Sequence, residues 1–165
     1  YSTGVTDSYS RELETAYNSY AEMDKNQKAL VRSFATGTAA KYIEAREKGI
    51  SHNDFLKTAK AINDIKPEAG AKEPNQKQQL ETIARAGLSE SQKVTMAKLY
   101  ASDAQYKNID EVKALGGNYK LYTELYRDHS DYTKGIGKKQ RTISHWIQKY
   151  GMDYSTAKKY YEVFS

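Results

Sequence analysis

The chain has 165 residues, a formal net charge of +5, 38% hydrophobic and 28% charged residues, and no cysteine. That length holds one compact domain or a short repeat array, and a low apolar fraction suits thin helical layers better than a thick core. The missing cysteines exclude disulfide frameworks and thiolate metal sites, and no apolar run approaches the roughly 18 residues that would span a bilayer.

Residues 1–10, YSTGVTDSYS, are small, polar and aperiodic, and read as an extended lead-in. Leu13, Ala16, Tyr17 and Tyr20 then line one helical face. Met23-Asp24 interrupts it, and Asp24 with Gln27 has the form of a capping box. Gln27, Leu30, Val31 and Phe34 stripe a second helix, which Gly37 is expected to end. A third helix begins with Ala39, Tyr42 and Ile43 and closes at Gly49. Ser51 with Asp54 caps a fourth, striped by Phe55, Ala59 and Ile62. The stretch IKPEAGAKEPN, residues 65–75, is the clearest loop.

Leu80, Ile83 and Ala84 mark a fifth helix ending at Gly87, and Ser89 with Gln92 opens a sixth carrying Met96, Leu99 and Tyr100. Ile109 and Val112 mark a seventh, stopped by Gly116-Gly117. Asn118 caps an eighth, with Tyr122, Leu125 and Tyr126. A loop over 130–138 leads into the last pair. Ile143, Trp146, Ile147 and Tyr150 line the ninth helix, Gly151 stops it, and Asp153 caps the tenth, striped by Ala157, Tyr160, Tyr161 and Phe164. No segment alternates with a period of two, so the expected fold class is all-α without a sheet. Trp146, Ile147, Tyr160 and Phe164 are expected to be buried together.

Four turns share one formula, an apolar residue followed by a cap: Met23-Asp24, Ile50-Ser51, Leu88-Ser89 and Met152-Asp153. Asp24 and Ser89 stand 65 positions apart, Ser89 and Asp153 64, and Ser51 and Asn118 67. The unit is therefore about 64 residues of tandem helical hairpins, stacked as a short solenoid or irregular bundle. The chain divides into a lead-in (1–10), a partial repeat (11–37), one unit (38–101) and a second (102–164).

These units resemble the tandem helical repeats of very large virion-associated proteins of phages and prophages from Gram-positive bacteria. The resemblance rests on GISHNDF, KPEAGAKEPN, KQQLETIARAGLSESQKVTMAKLY and KKQRTISHWIQKYGMDYSTAKKYYEVF. It implies a scaffold or interaction region in the virion or host cytoplasm, with other protein chains as partners and no catalytic residues.

The residues name no catalytic centre either. His52, His129 and His145 lack metal-ligand spacing. There is no HExxH or GxSxG, and KGIGKK at 134–139 lacks the glycine spacing and Lys-Ser/Thr ending of a phosphate loop. No enzyme activity, metal or cofactor is expected. The rival reading is a DNA-binding helix-turn-helix in 138–164. Tyr154, Ser155, Thr156, Lys158 and Lys159 would face the major groove, and Lys138, Lys139 and Arg141 would hold phosphates. Neither the first helix nor the last has the polar outer face of a terminal repeat. The chain, which starts at Tyr1, is therefore expected to be a processed product or a piece of a longer array. Residues 1–12 would be extended or docked on a partner, and the Tyr161–Phe164 edge would meet another chain.

Overall fold

The computed structural model describes residues 7–131 and 135–165. Among them it contains ten α-helices and no strand: α1 (Asp7–Ala21), α2 (Lys25–Phe34), α3 (Gly37–Glu47), α4 (His52–Asn63), α5 (Gln76–Ala84), α6 (Glu90–Tyr100), α7 (Asp103–Ala114), α8 (Tyr119–Asp131), α9 (Lys138–Tyr150) and α10 (Tyr154–Val163). The all-α expectation holds, and the helices form a packed bundle.

Helix starts follow side-chain chemistry. The first backbone N–H groups of a helix have no internal partner, so a short polar side chain accepts from one of them. Asp24, Asn75 and Ser89 each accept from the N–H three residues on, and Gln27, Gln78 and Gln92 reach back to complete the box. Ser51 accepts from the Asp54 N–H without a reciprocal bond. Asn118 accepts from Leu121, and Asp153 from Thr156. At Gly151 the backbone is left-handed, with φ of 66°, which reverses the chain between α9 and α10. Gly117 is required for space instead: a Cβ there would lie 2.7 Å from Val112 Cγ1.

Every helix except α2 turns buried residues inward. Tyr42, Phe55, Leu80, Ile83, Met96, Ile109, Tyr119, Tyr122, Leu125, Ile143 and Trp146 belong to one buried cluster. Full burial of one such side chain contributes roughly 1.5–3 kcal/mol before entropy is charged. Helix α5 lies between α4, α6 and α8, and Tyr119 on α8 donates its hydroxyl to the Leu80 carbonyl on α5 at 2.6 Å. Helix α3 packs on α4 and α6, while α7 packs on α6, α8 and α10. Tyr160 on α10 donates to the Leu115 carbonyl at the end of α7.

Several expectations are corrected. Residues 7–12 are helical rather than extended: Asp7 places a negative charge in the first turn, and the Ser10 hydroxyl donates to the Asp7 carbonyl. Residues 1–6 of the expected lead-in lie outside the described residues. Gly37 does not terminate α2, which stops at Phe34; it opens α3. The expected loop over 130–138 is shorter at both ends, since α8 runs through Asp131 and α9 begins at Lys138; residues 132–134 lie outside the described residues.

The Tyr161–Phe164 edge is covered within the chain. Phe164 stacks on Tyr122 at 5.9 Å between ring centroids and lies 5.6 Å from the His129 ring, because α10 folds its apolar side onto α8. Trp146 and Tyr160 are buried as expected, with Ile147 and Phe164 half-buried beside them. The stripe of α2 departs most from expectation: Leu30 is 60% exposed and Phe34 77%.

Candidate functional site

The final hairpin is held by one carboxylate. Asp128 lies in the last turn of α8 at the end of the face carrying Leu121 and Leu125, and is only 6% exposed. The Trp146 indole N–H donates to its Oδ2 at 3.1 Å, and the Tyr150 hydroxyl donates to the same oxygen at 3.4 Å. His145 Nε2 stands 3.6 Å and Lys149 Nζ 4.0 Å from that oxygen, and Arg127 Nε lies 3.6 Å from Oδ1. A buried carboxylate costs several kcal/mol unless donors and cations surround it, and here both do. The arrangement fixes α9 on α8 and orients the indole. Burial pushes the Tyr150 hydroxyl well above the ordinary phenol range, and the Asp128 charge adds to that.

His129, one residue on, points into an aromatic pocket. Its ring lies 5.1 Å from Tyr161, and its Nε2 is buried without a hydrogen-bond partner. Burial, and then the Lys138 charge, hold its pKa below the ordinary histidine value, which favours the neutral ring.

The candidate nucleic-acid contacts divide into two groups. Tyr154, Ser155, Lys158 and Lys159 are exposed on α10. Thr156 is half-buried, with its backbone N–H given to the Asp153 cap at 2.7 Å. That bond holds the Asp153 carboxyl below its ordinary value. Lys138, Lys139 and Arg141 stand on the first turn of α9, beside the other end of α10. Lys139 Nζ pairs with Glu162 at 2.7 Å and lies 5.7 Å from the Tyr161 ring centre. Glu162 raises the Lys139 pKa and is itself held low. Lys138 Nζ lies 6.0 Å from the same ring centre, half-buried, while Arg141 is exposed on the side next to Gly135. The exposed group runs over the first six residues of α10, and Glu162, which pairs with Lys139, lies three residues beyond Lys159, a rise of about 4.5 Å, so the two groups adjoin with a carboxylate between them. A Glu162 carboxylate sits among the cations at one end and Asp153 at the other.

Among the described residues no group of three or more His, Asp or Glu is placed to hold a metal, and no helix is long and apolar enough to cross a membrane. Residues 135–139 of the glycine-lysine stretch form a turn and the start of α9, while Lys134 lies outside the described residues. A cleft of about 280 Å³ lies between α5, α6 and α8, lined by Glu81, Arg85, Glu90, Lys93, Lys120 and Arg127 among others. Its charges are mixed, and the Glu90 carboxylate accepts from the Tyr119 backbone N–H.

Sequence reasoning passed over Asp128. The signal was present: an acidic residue continues the apolar face of Leu121 and Leu125, and a buried indole N–H needs an acceptor. No protein-family model, curated protein or solved structure matches this chain.

Proposed function

We propose that the chain is a non-catalytic interaction segment of a phage virion-associated protein, built of helical repeats and binding other proteins through helical faces. One observation supports this most: in each of two stretches, four consecutive helices close on themselves. In residues 38–101, α3 packs on α4, α4 on α5, α5 on α6, and α6 closes back on α3. In residues 102–164, α7 packs on α8, α8 holds α9 through the Asp128–Trp146 bond, α9 packs on α10, and α10 closes back on α7. The counterpart helices start from counterpart caps, Ser89 and Asp153 for α6 and α10, and Ser51 and Asn118 for α4 and α8. Helices α1 and α2 then form the second half of such a unit. An array of this kind presents faces of fixed spacing to partners. Its place is the virion or the host cytoplasm. Purified particles from an induced host that encodes the chain should contain its peptides at structural-protein stoichiometry. Their restriction to the particle-free lysate would sink the virion assignment.

The alternative is DNA binding by the α9–α10 hairpin, favoured by the exposed Tyr154, Ser155, Lys158 and Lys159 on one helix. Anisotropy of a labelled duplex at two salt concentrations separates the readings. The interaction reading expects only weak binding, indifferent to Lys158→Glu with Lys159→Glu. Tight binding that falls steeply with salt and vanishes in that double variant would transfer the function to nucleic acid.

A further inference from the structure

The side of α2 that meets the rest of the molecule is mostly cationic. Lys28, Val31 and Arg32 are its half-buried side chains, at i, i+3 and i+4, whereas Leu30 and Phe34 face solvent. No residue of the helix is buried, so apolar cover contributes little to keeping it in place.

Polar contacts take over that task. Arg32 spreads its guanidinium across two carboxylates of α3: one amino group donates to Glu44 and the other to Glu47 Oε1 at 2.6 Å. Through its second oxygen Glu47 accepts from the Tyr20 hydroxyl on α1, at 2.9 Å. One carboxylate therefore joins α1, α2 and α3. The Lys28 ammonium stands 5.6 Å from the centre of the buried Tyr20 ring. A planar guanidinium donating to two carboxylates fixes direction as well as charge. The Arg32, Glu44 and Glu47 side chains keep 35%, 30% and 35% of their surface in water, so dissolved ions reach the pairs and screen them. The apolar burial that holds α6 and α10 has no charge to screen.

We propose that α2 is an electrostatic strap: the Arg32 fork closes it on Glu44 and Glu47 of α3, and rising ionic strength opens it. The opening is a local unwinding between the turns at 22–24 and 35–36, with the rest of the bundle intact. It leaves Arg32 available to an acidic group of a partner, and Glu44 and Glu47 available to a basic one.

Hydrogen exchange of the full 165-residue chain at two sodium chloride concentrations tests this. Between about 0.01 M and about 1 M the screening length falls from roughly 30 Å to roughly 3 Å. Amides from Lys28 to Phe34 should exchange about threefold or more faster at the higher salt, measured against amides of α6 in the same sample. Arg32→Met keeps an apolar stem and removes the fork. It should speed α2 exchange by a similar factor at low salt and remove the salt response. Glu44→Gln with Glu47→Gln should do the same from the α3 side, and the salt series on the unmodified chain needs no variant to fold. Equal α2 exchange at the two salts overturns the proposal, as does a salt response that survives in Arg32→Met. An equal response in α6 would mean that salt weakens the whole bundle, and overturns it too.

Discussion

Helices α2 and α10 begin with the same device, an aspartate accepting from the backbone N–H three residues on, and carry apolar residues at matching positions. Helix α10 buries Ala157, Tyr160 and Tyr161 against α7, α8 and α9, whereas α2 buries nothing and rests on α1 with an ion-paired link to α3. The difference teaches that a helix's stripe says which side wants cover, while only the neighbours decide whether cover arrives. Stability should be concentrated where cover is complete.

The largest effect is expected at the centre of the covered region. Trp146→Ala removes a fully buried indole and its bond to Asp128, and should cost about 3–5 kcal/mol in urea unfolding. A cost near zero would break the comparison at its stronger side. Asp128→Ala leaves the indole N–H without its acceptor and should cost about 1–3 kcal/mol, with loss of near-ultraviolet tryptophan dichroism. An unchanged spectrum would show that the carboxylate does not orient the ring.

Caps give the intermediate effects. Ser89→Ala removes the acceptor for the Gln92 N–H and should cost about 1 kcal/mol, whereas Ser89→Asp should restore it. Asp153 provides a pH test. Its folded pKa is depressed below the ordinary 3.8 by the Thr156 backbone bond, so its stabilisation is present above that value and is lost as pH falls below it. Asn at 153 can cap without titrating. Thermal midpoints of the chain and Asp153→Asn should therefore differ by one amount at neutral pH, and that difference should shift against the native chain on acidification. A constant difference down to acid pH would contradict the assignment.

Most of the architecture was legible because caps and stripes are local. Asp24, Ser51, Ser89, Asn118 and Asp153 each mark a helix start by short-range chemistry, and Gly151 marks a stop. Asn75 obeys the same rule with Gln78, yet follows directly on a proline-bearing loop whose irregular composition masks the helix start. The early start of α1 escaped because Asp7–Ser10 carries no apolar period. The candidate site was legible only in part. The exposure of Tyr154, Ser155, Lys158 and Lys159 follows from the α10 stripe. The Lys139–Glu162 pair and the Asp128 cluster join residues distant in sequence, which no local pattern reveals.

The smallest effect is expected on the bare side. Leu30→Ser with Phe34→Ser should change stability by no more than about 0.5 kcal/mol, because both side chains already face solvent. A loss comparable to Trp146→Ala would mean that α2 is covered in solution.

Residue-resolved hydrogen exchange of the unmodified chain tests the contrast most directly. Amides of α9 and α10 around Trp146 and Tyr160 should exchange only through global unfolding, whereas those of α2 from Lys28 to Phe34 should exchange through local opening, at least about a hundredfold faster. Protection of α2 equal to that of α10 would contradict the account.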